Sequence, residues 1–405
     1  MKLKNTIIII CAAIFLNACI EPVNIEGINY KDFIAVEASV TSEVKKHTVK
    51  ITRTSTLDAK ETIKESGAIV SVEDDSQNIF RFIETSNGEY ESENEFKAEV
   101  GKAYTLKITT KDGKAYASSA ETITGIAAID EITAAREFNS LDEEGVQIYV
   151  QSKSEDENAK YFRYEYEETY KIRAPYYSPN KAIPHPFTDE VILIVPDLES
   201  AEICYATQKS NKLVQTDVAN LSSNEVDFGV RFIARDNYII RHRYSILLKQ
   251  NVQSFEAYRY FQTLNELSSI ENVFNQNQPG FLSGNIRSVN DPKEKVIGFF
   301  EVNSVSTKRF FLNGIDFFTD IYADYPASCS FGAPPVKDMA DNVVLAGILR
   351  AGTLVYYKDY AENLGLDLGC DNGAGEGCGP YVLVSKACGD CRVLGSEVKP
   401  DFWID

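Results

Sequence analysis

Histidine is almost missing from this chain. His47, His185 and His242 are the three present in 405 residues. None stands in an HExxH or HxH arrangement, so histidine-based zinc catalysis has no support. There is no GxSxG elbow, no Walker loop and no dinucleotide fingerprint; Gly373, Gly375 and Gly377 alternate but open no βα unit. Methionine occurs twice and tryptophan once. Positive charge is also short. Lys and Arg number 41 against 60 Asp and Glu, a net charge of −19. That balance excludes nucleic acid and anionic lipid as partners, since both need basic patches. Beyond the N-terminus no apolar run reaches the ~20 residues of a membrane-spanning helix. Carboxylates are plentiful, but a glycosidase pair is defined by its separation in space, not by abundance.

What is present begins with an address. Lys2 and Lys4 form a positive n-region, and Thr6 to Leu16 form an apolar h-region too short to span a bilayer. Leu16-Asn17-Ala18-Cys19 follows and resembles the lipobox of bacterial lipoproteins. The resemblance implies cleavage between Ala18 and Cys19, loss of residues 1–18, and lipidation of Cys19. Each buried acyl methylene is worth ~0.8 kcal/mol, so two or three chains hold the protein stably on a membrane. Ile20 in place of Asp favours the outer membrane. Ile20-Glu21-Pro22 faintly matches an acidic surface-export signal, so the expected address is the outer membrane, facing outward rather than into the periplasm.

Residues 19–30 read as a tether. Strand signals then recur through 31–126, at Phe33–Ala38, Thr48–Thr52, Ala68–Glu73, Asn78–Phe82 and Tyr104–Thr109. Asp112-Gly113 between two alternating runs is a hairpin signal. Period-two alternation places Val49, Ile51, Leu106 and Ile108 on buried faces. The reading is mainly β, with an immunoglobulin-like β-sandwich first.

Residues 127–405 read as a larger, mostly β domain with one or two helices, joined by a linker at Ile123 to Asp130. Phe162, Tyr164, Tyr166 and Tyr170 lie at even spacing in an aromatic strand, and core packing is the preferred reading of that face. Pro175, Pro179, Pro184 and Pro186 predict a long irregular loop over residues 174–190. Its Tyr176, Tyr177, His185 and Phe187 form a candidate binding loop. Val191 to Val195 reads as a buried strand. Ser254 caps a helix whose Phe255, Tyr258, Phe261, Leu264 and Leu267 predict one packed stripe.

With Cys11 and Cys19 set aside, Cys204, Cys329, Cys370, Cys378, Cys388 and Cys391 remain. An even count in an exported chain predicts disulfides and leaves their connectivity open. Local closure favours Cys370 with Cys378. Cys388 and Cys391 pair with each other or with Cys329 and Cys204. Zinc on the four C-terminal cysteines, a redox dithiol at Cys388 and Cys391, and calcium on Asp367, Asp371 and Glu376 are weaker readings. No metal, cofactor or catalytic residue is expected, and the chain reads as a non-enzyme.

Three ordered stretches carry a family resemblance. The first runs from Tyr258-Arg259-Tyr260-Phe261-Gln262-Thr263-Leu264 through Gln278-Pro279 to Leu282-Ser283-Gly284-Asn285-Ile286. The second is Val296-Ile297-Gly298-Phe299-Phe300 with Lys308-Arg309. The third is Cys388-Gly389-Asp390-Cys391-Arg392, ending at Lys399-Pro400-Asp401-Phe402-Trp403. Together they resemble domain-of-unknown-function family 4249 over nearly the whole mature chain. The family's tail often has a Gly-Gly pair where this chain has Leu394-Gly395, and the segment around Cys370 and Cys378 is atypical of it. The resemblance implies an outer-membrane lipoprotein partnering a TonB-dependent receptor in nutrient uptake, its ligand unknown. A surface hydrolase of glycans or peptides and a structural or adhesive envelope protein are the alternatives.

Overall fold

The computed structural model describes residues 33–54, 63–268, 282–320, 323–338, 340–360, 368 and 378–405. The predicted signal, Ala18, Cys19, the tether and Cys370 lie outside them. The described chain is mainly β.

One continuous sheet organises it. From neighbour to neighbour it runs Ile203–Lys209, Tyr161–Arg173, Arg243–Gln253, Val296–Asn313 and Ile34–Thr41. It continues through Thr48–Arg53, Glu89–Ser92, Ile79–Ser86, Ile69–Asp74, Ala103–Thr109, Ala115–Ser118 and Ile286–Ser288. The pivot is Val296–Asn313, 18 residues long. Its first half pairs in parallel with the first strand, from Ile34 opposite Val296 to Thr41 opposite Asn303. Its second half pairs antiparallel with Arg243–Gln253, from Val252 opposite Ser304 to Arg243 opposite Asn313. Residues from beyond position 127 therefore belong to the N-terminal core.

That core is built by alternation. Val36, Val49, Ile51, Val72, Leu106 and Ile108 turn inward and are buried, as the period-two pattern requires. Ile286, Val296, Phe300 and Val302 fill the same core from the far end of the sequence. The sheet curls until its last strand meets the long one. Asn285 makes the join with its side chain: Nδ2 donates to the Phe300 carbonyl and Oδ1 accepts from the Phe300 N–H, both at 2.8 Å. Gly284 permits the approach, because a Cβ there would sit 1.6 Å from the Gly298 carbonyl oxygen. Gly298, at φ 133°, passes against the Val36 carbonyl.

A second core lies between the other half of the long sheet and a three-stranded sheet of Glu131–Phe138, Glu144–Lys153 and Glu225–Ala234. Val146, Ile148 and Val150 face Phe162, Tyr164, Tyr166, Tyr244, Ile246 and Leu248 across it. The aromatic strand is thus core, and each inward ring removes a large apolar area from water. The segment at 123–130 is pinned between the cores. Ser304 donates to the Gly125 carbonyl, Gln250 to that of Ala127, and the Ile129 N–H to Ser306.

Three sequence expectations need correction. Residues 174–190 are not one irregular loop, because Asn180–His185 and Thr188–Pro196 form a hairpin. The hairpin's edges are unpaired among the described residues, which is where strand prolines such as Pro184 are tolerated. Its second strand is not buried, with Val191 45% and Ile194 37% exposed. The helix Phe255–Ser268 is capped by Ser254, whose Oγ accepts from the Ala257 N–H at 3.1 Å. Its packed face, however, is Ala257, Tyr260 and Phe261 against Phe299, while Phe255 and Leu264 are exposed. Ala257 carried too little hydrophobic weight to mark that face in the pattern.

Candidate functional site

The short 3-10 turn Tyr238–Ile240 starts the site. Asn237 caps it, accepting from the Ile239 N–H, and Arg241 closes it by donating its N–H to the Tyr238 carbonyl. The turn projects Tyr238, Arg241 and His242 to one side. Facing them are Arg173 at the end of its strand, the segment Ala174 to Tyr177, Glu202, and Ala323 to Tyr325. These enclose a cleft of about 480 Å³, within the ~300–1,000 Å³ usual for small-molecule sites.

Tyrosines form its walls. The rings of Tyr238 and Tyr325 stand perpendicular with centroids 5.4 Å apart, and Tyr238 lies 6.1 Å from the His242 ring. The Arg173 N–H donates to the Tyr238 hydroxyl at 3.2 Å, and the Tyr325 hydroxyl donates to the Ala387 carbonyl at 2.8 Å. Tyr176 is braced edge-on against Phe331 and Tyr357, and its N–H donates to the Cys388 carbonyl. Burial raises both the Tyr238 and Tyr325 phenols, so these rings stay neutral donors at physiological pH.

Charge sits at the rim. Arg173 bonds Glu202 through Nε and Nη2, each at 2.7 Å. Arg241 donates to the Ala323 carbonyl and has no carboxylate within 4 Å among the described residues. Burial lowers the His242 pKa first, and Arg241, Lys171 and Arg173 lower it further. His242 is therefore a neutral ring, with Arg241 as the strongest-acting charge on it.

Two disulfides staple the cleft from behind. Cys204 bonds Cys391 and Cys329 bonds Cys388, with Cα atoms 5.7 Å apart in each. Cys388 and Cys391 therefore pair outward and not with each other, which removes both their redox-dithiol and zinc readings. Cys378 is disulfide-bonded as well, but its expected partner Cys370 lies outside the described residues. Between the staples, the Asp390 carboxylate accepts from the Ala201 N–H at 3.1 Å and from Arg392. Gly389 fits because a Cβ there would meet Val355 at 2.5 Å. Closing a loop with a sequence separation of 187 is worth ~5 kcal/mol in chain-entropy terms.

Of the four predicted loop residues, the cleft takes Tyr176 and Tyr177. His185 and Phe187 sit at the hairpin tip, where His185 Nδ1 accepts from the Phe187 N–H and Phe187 is 92% exposed. The turn carrying Tyr238, Arg241 and His242 escaped sequence reading. The signal was there, since Arg241-His242-Arg243 is a basic run in an acidic chain. A second groove of about 840 Å³ lies beside the helix Phe255–Ser268, floored by Ser283, Gly284, Asn285 and Phe299. Its floor is the sheet closure described above. No metal-ligating cluster of His, Cys, Asp and Glu occurs among the described residues. Nor does any histidine side chain there bond a serine, threonine or cysteine.

Compared with known protein families, residues 20–309 match the domain of unknown function DUF4249. The curated proteins contain no match. Among solved structures, a DUF4785 family protein from Legionella pneumophila is similar over 53% of this chain, at 9% identity and a TM-score of 0.17. The match spans 51% of that protein, about half its length, and a likeness at that level carries no argument.

Proposed function

The chain belongs to the DUF4249 family, and from that premise we propose that it is a lipid-anchored binding protein of the outer membrane, a partner of a TonB-dependent receptor in nutrient uptake. The cleft is the observation that carries this reading. It has small-ligand size, tyrosine walls that offer both apolar faces and neutral hydroxyls, and covalent staples that hold its shape before any ligand arrives. The lipobox-like stretch at Cys19 supports the membrane address, and the acidic surface suits a protein held by its anchor rather than by lipid charge. Ligand capture beside a receptor uses these features together. The site has cationic side chains to orient a ligand and no acid–base pair poised on a reacting atom among its described groups.

Purification of the tagged full-length protein from outer membranes in mild detergent tests this. Recovery of a TonB-dependent receptor in stoichiometric amount is expected. Recovery without any receptor overturns the partnership. Cys19→Ala should move the protein out of the membrane fraction; retention there overturns the anchor.

A further inference from the structure

The chain carries −19 overall, and the charged side chains lining the cleft are Arg173, Arg241, Glu202 and Asp324. These charges balance in number, so what matters is which of them is already paired. Arg173 spends part of its charge on Glu202, and Lys171 lies 3.8 Å from Asp405. Among the described residues Arg241 has no carboxylate within 4 Å, and it bonds the Ala323 carbonyl instead. Asp324 also lines the cleft, exposed and without an ion pair among the described residues. The guanidinium of Arg241 thus stands beside a neutral imidazole, with Tyr238 and Tyr325 behind both.

We propose that this cleft binds a small ring compound bearing an oxyanion, with Arg241 engaging the anion and the tyrosine walls taking the ring. A guanidinium matches either a carboxylate or a phosphate through its planar fork. Tyr238, Tyr325 and Tyr177 supply stacking and edge contacts to the ring. His242 acts as a positioning residue that gains a proton as the anion arrives. This rests on the reading that the cleft is the ligand site, and names the class of ligand.

The test uses the detergent-solubilised full-length protein with three probes: glucuronic acid, glucose 6-phosphate and glucose. Calorimetry at low salt is expected to give at least a tenfold preference for one or both anions over glucose. Preference for glucuronic acid assigns the carboxylate source, and preference for glucose 6-phosphate assigns the phosphate. Affinity should fall as salt rises. Arg241→Ala should cost about tenfold for the anions and little for glucose, with Arg241→Lys partly restoring it. Arg241 is exposed, and Arg241→Lys, which keeps a donor for the Ala323 carbonyl, controls for loss of that tie. In titrations followed by the His242 ring resonances, bound anion should raise the imidazole pKa. Equal affinity for all three probes, no binding of any, or an Arg241→Ala protein with unchanged anion affinity overturns the inference. Anion binding without receptor recovery overturns the uptake partnership alone; receptor recovery without anion binding overturns this inference alone.

Discussion

In the N-terminal unit, buried polar side chains mostly bond the backbone; in the second unit the buried charged ones bond other side chains. His47 Nε2 meets the Phe96 carbonyl at 2.9 Å, Asp74 accepts from the N–H groups of Ser76 and Asn78, and Asn285 spans Phe300. Across the long sheet, Glu168 collects Arg231 at 2.8 Å, the Tyr244 hydroxyl at 2.6 Å and Gln208. Arg163 pairs with Glu301 at 2.5 Å, Glu301 accepts from Gln253, and Gln253 from Gln215. The first arrangement replaces missing ladder bonds; His47 and Asn285 do so as neutral groups, and Asp74 as a carboxylate held by N–H donors with Lys102 alongside. The second links side chains of six strands and requires buried charge, which is tolerable only while every member is present. The unit with the cleft is therefore held by specific, mutually dependent contacts. The other is held by shape and closure.

The largest test of that contrast is Glu301→Leu. It leaves the buried Arg163 guanidinium with only the half-exposed Glu165 as a partner and should cost ~3 kcal/mol in urea unfolding. Arg163→Met combined with Glu301→Leu should recover most of it. Were the single change neutral, the charge network would not be what holds that region.

His47 tests the neutral side of the contrast. Burial depresses its pKa to about 4, with Lys45 and Lys249 lowering it and Glu43 and the Phe96 carbonyl raising it. The unfolded value is ~6.5. Its contribution is fully present above pH 6.5 and is lost as pH falls toward 4, because the unfolded chain binds the proton more readily. Stability measured from pH 7 to pH 4 should fall by ~2–3 kcal/mol more in the parent than in His47→Gln. Parallel curves would show that the buried ring accepts charge freely.

Asn285→Ala should have the smallest effect, ~1–3 kcal/mol, by leaving the N–H and carbonyl of Phe300 without their side-chain partner. Hydrogen exchange at the Phe300 amide should accelerate while the amides of Tyr161–Arg173 keep their protection. Acceleration in both regions would mean that the two units open together.

Much of the architecture was legible, for a local reason. Alternation at Val49, Ile51, Leu106 and Ile108, the Asp112-Gly113 turn and the Ser254 cap are rules within a few residues, and each held. What failed was long-range. Nothing near Val296 says that it lies parallel to Ile34, and nothing near Tyr176 says that Tyr238 faces it. Proline density at 174–190 suggested irregularity because an edge hairpin tolerates proline as a loop does. The even cysteine count pointed to disulfides, but the choice of Cys204 and Cys329 as partners is made by the fold. The motif residues Gly284, Asn285 and Gly298 serve closure of the sheet, so the stretches that identify the family explain its architecture better than its ligand.

The long strand also sets how the molecule bears load. A pull applied at residue 34 runs along the axis of Ile34–Thr41, whose neighbour lies parallel and continues into the second unit. Ser42 extends the contact, donating its N–H to the Asn303 carbonyl and accepting from the Val305 N–H. Force between the N-terminus and the cleft-bearing unit therefore stresses this ladder in shear. Its bonds must give way together instead of unzipping one at a time, so the seam between the two units is a mechanical clamp.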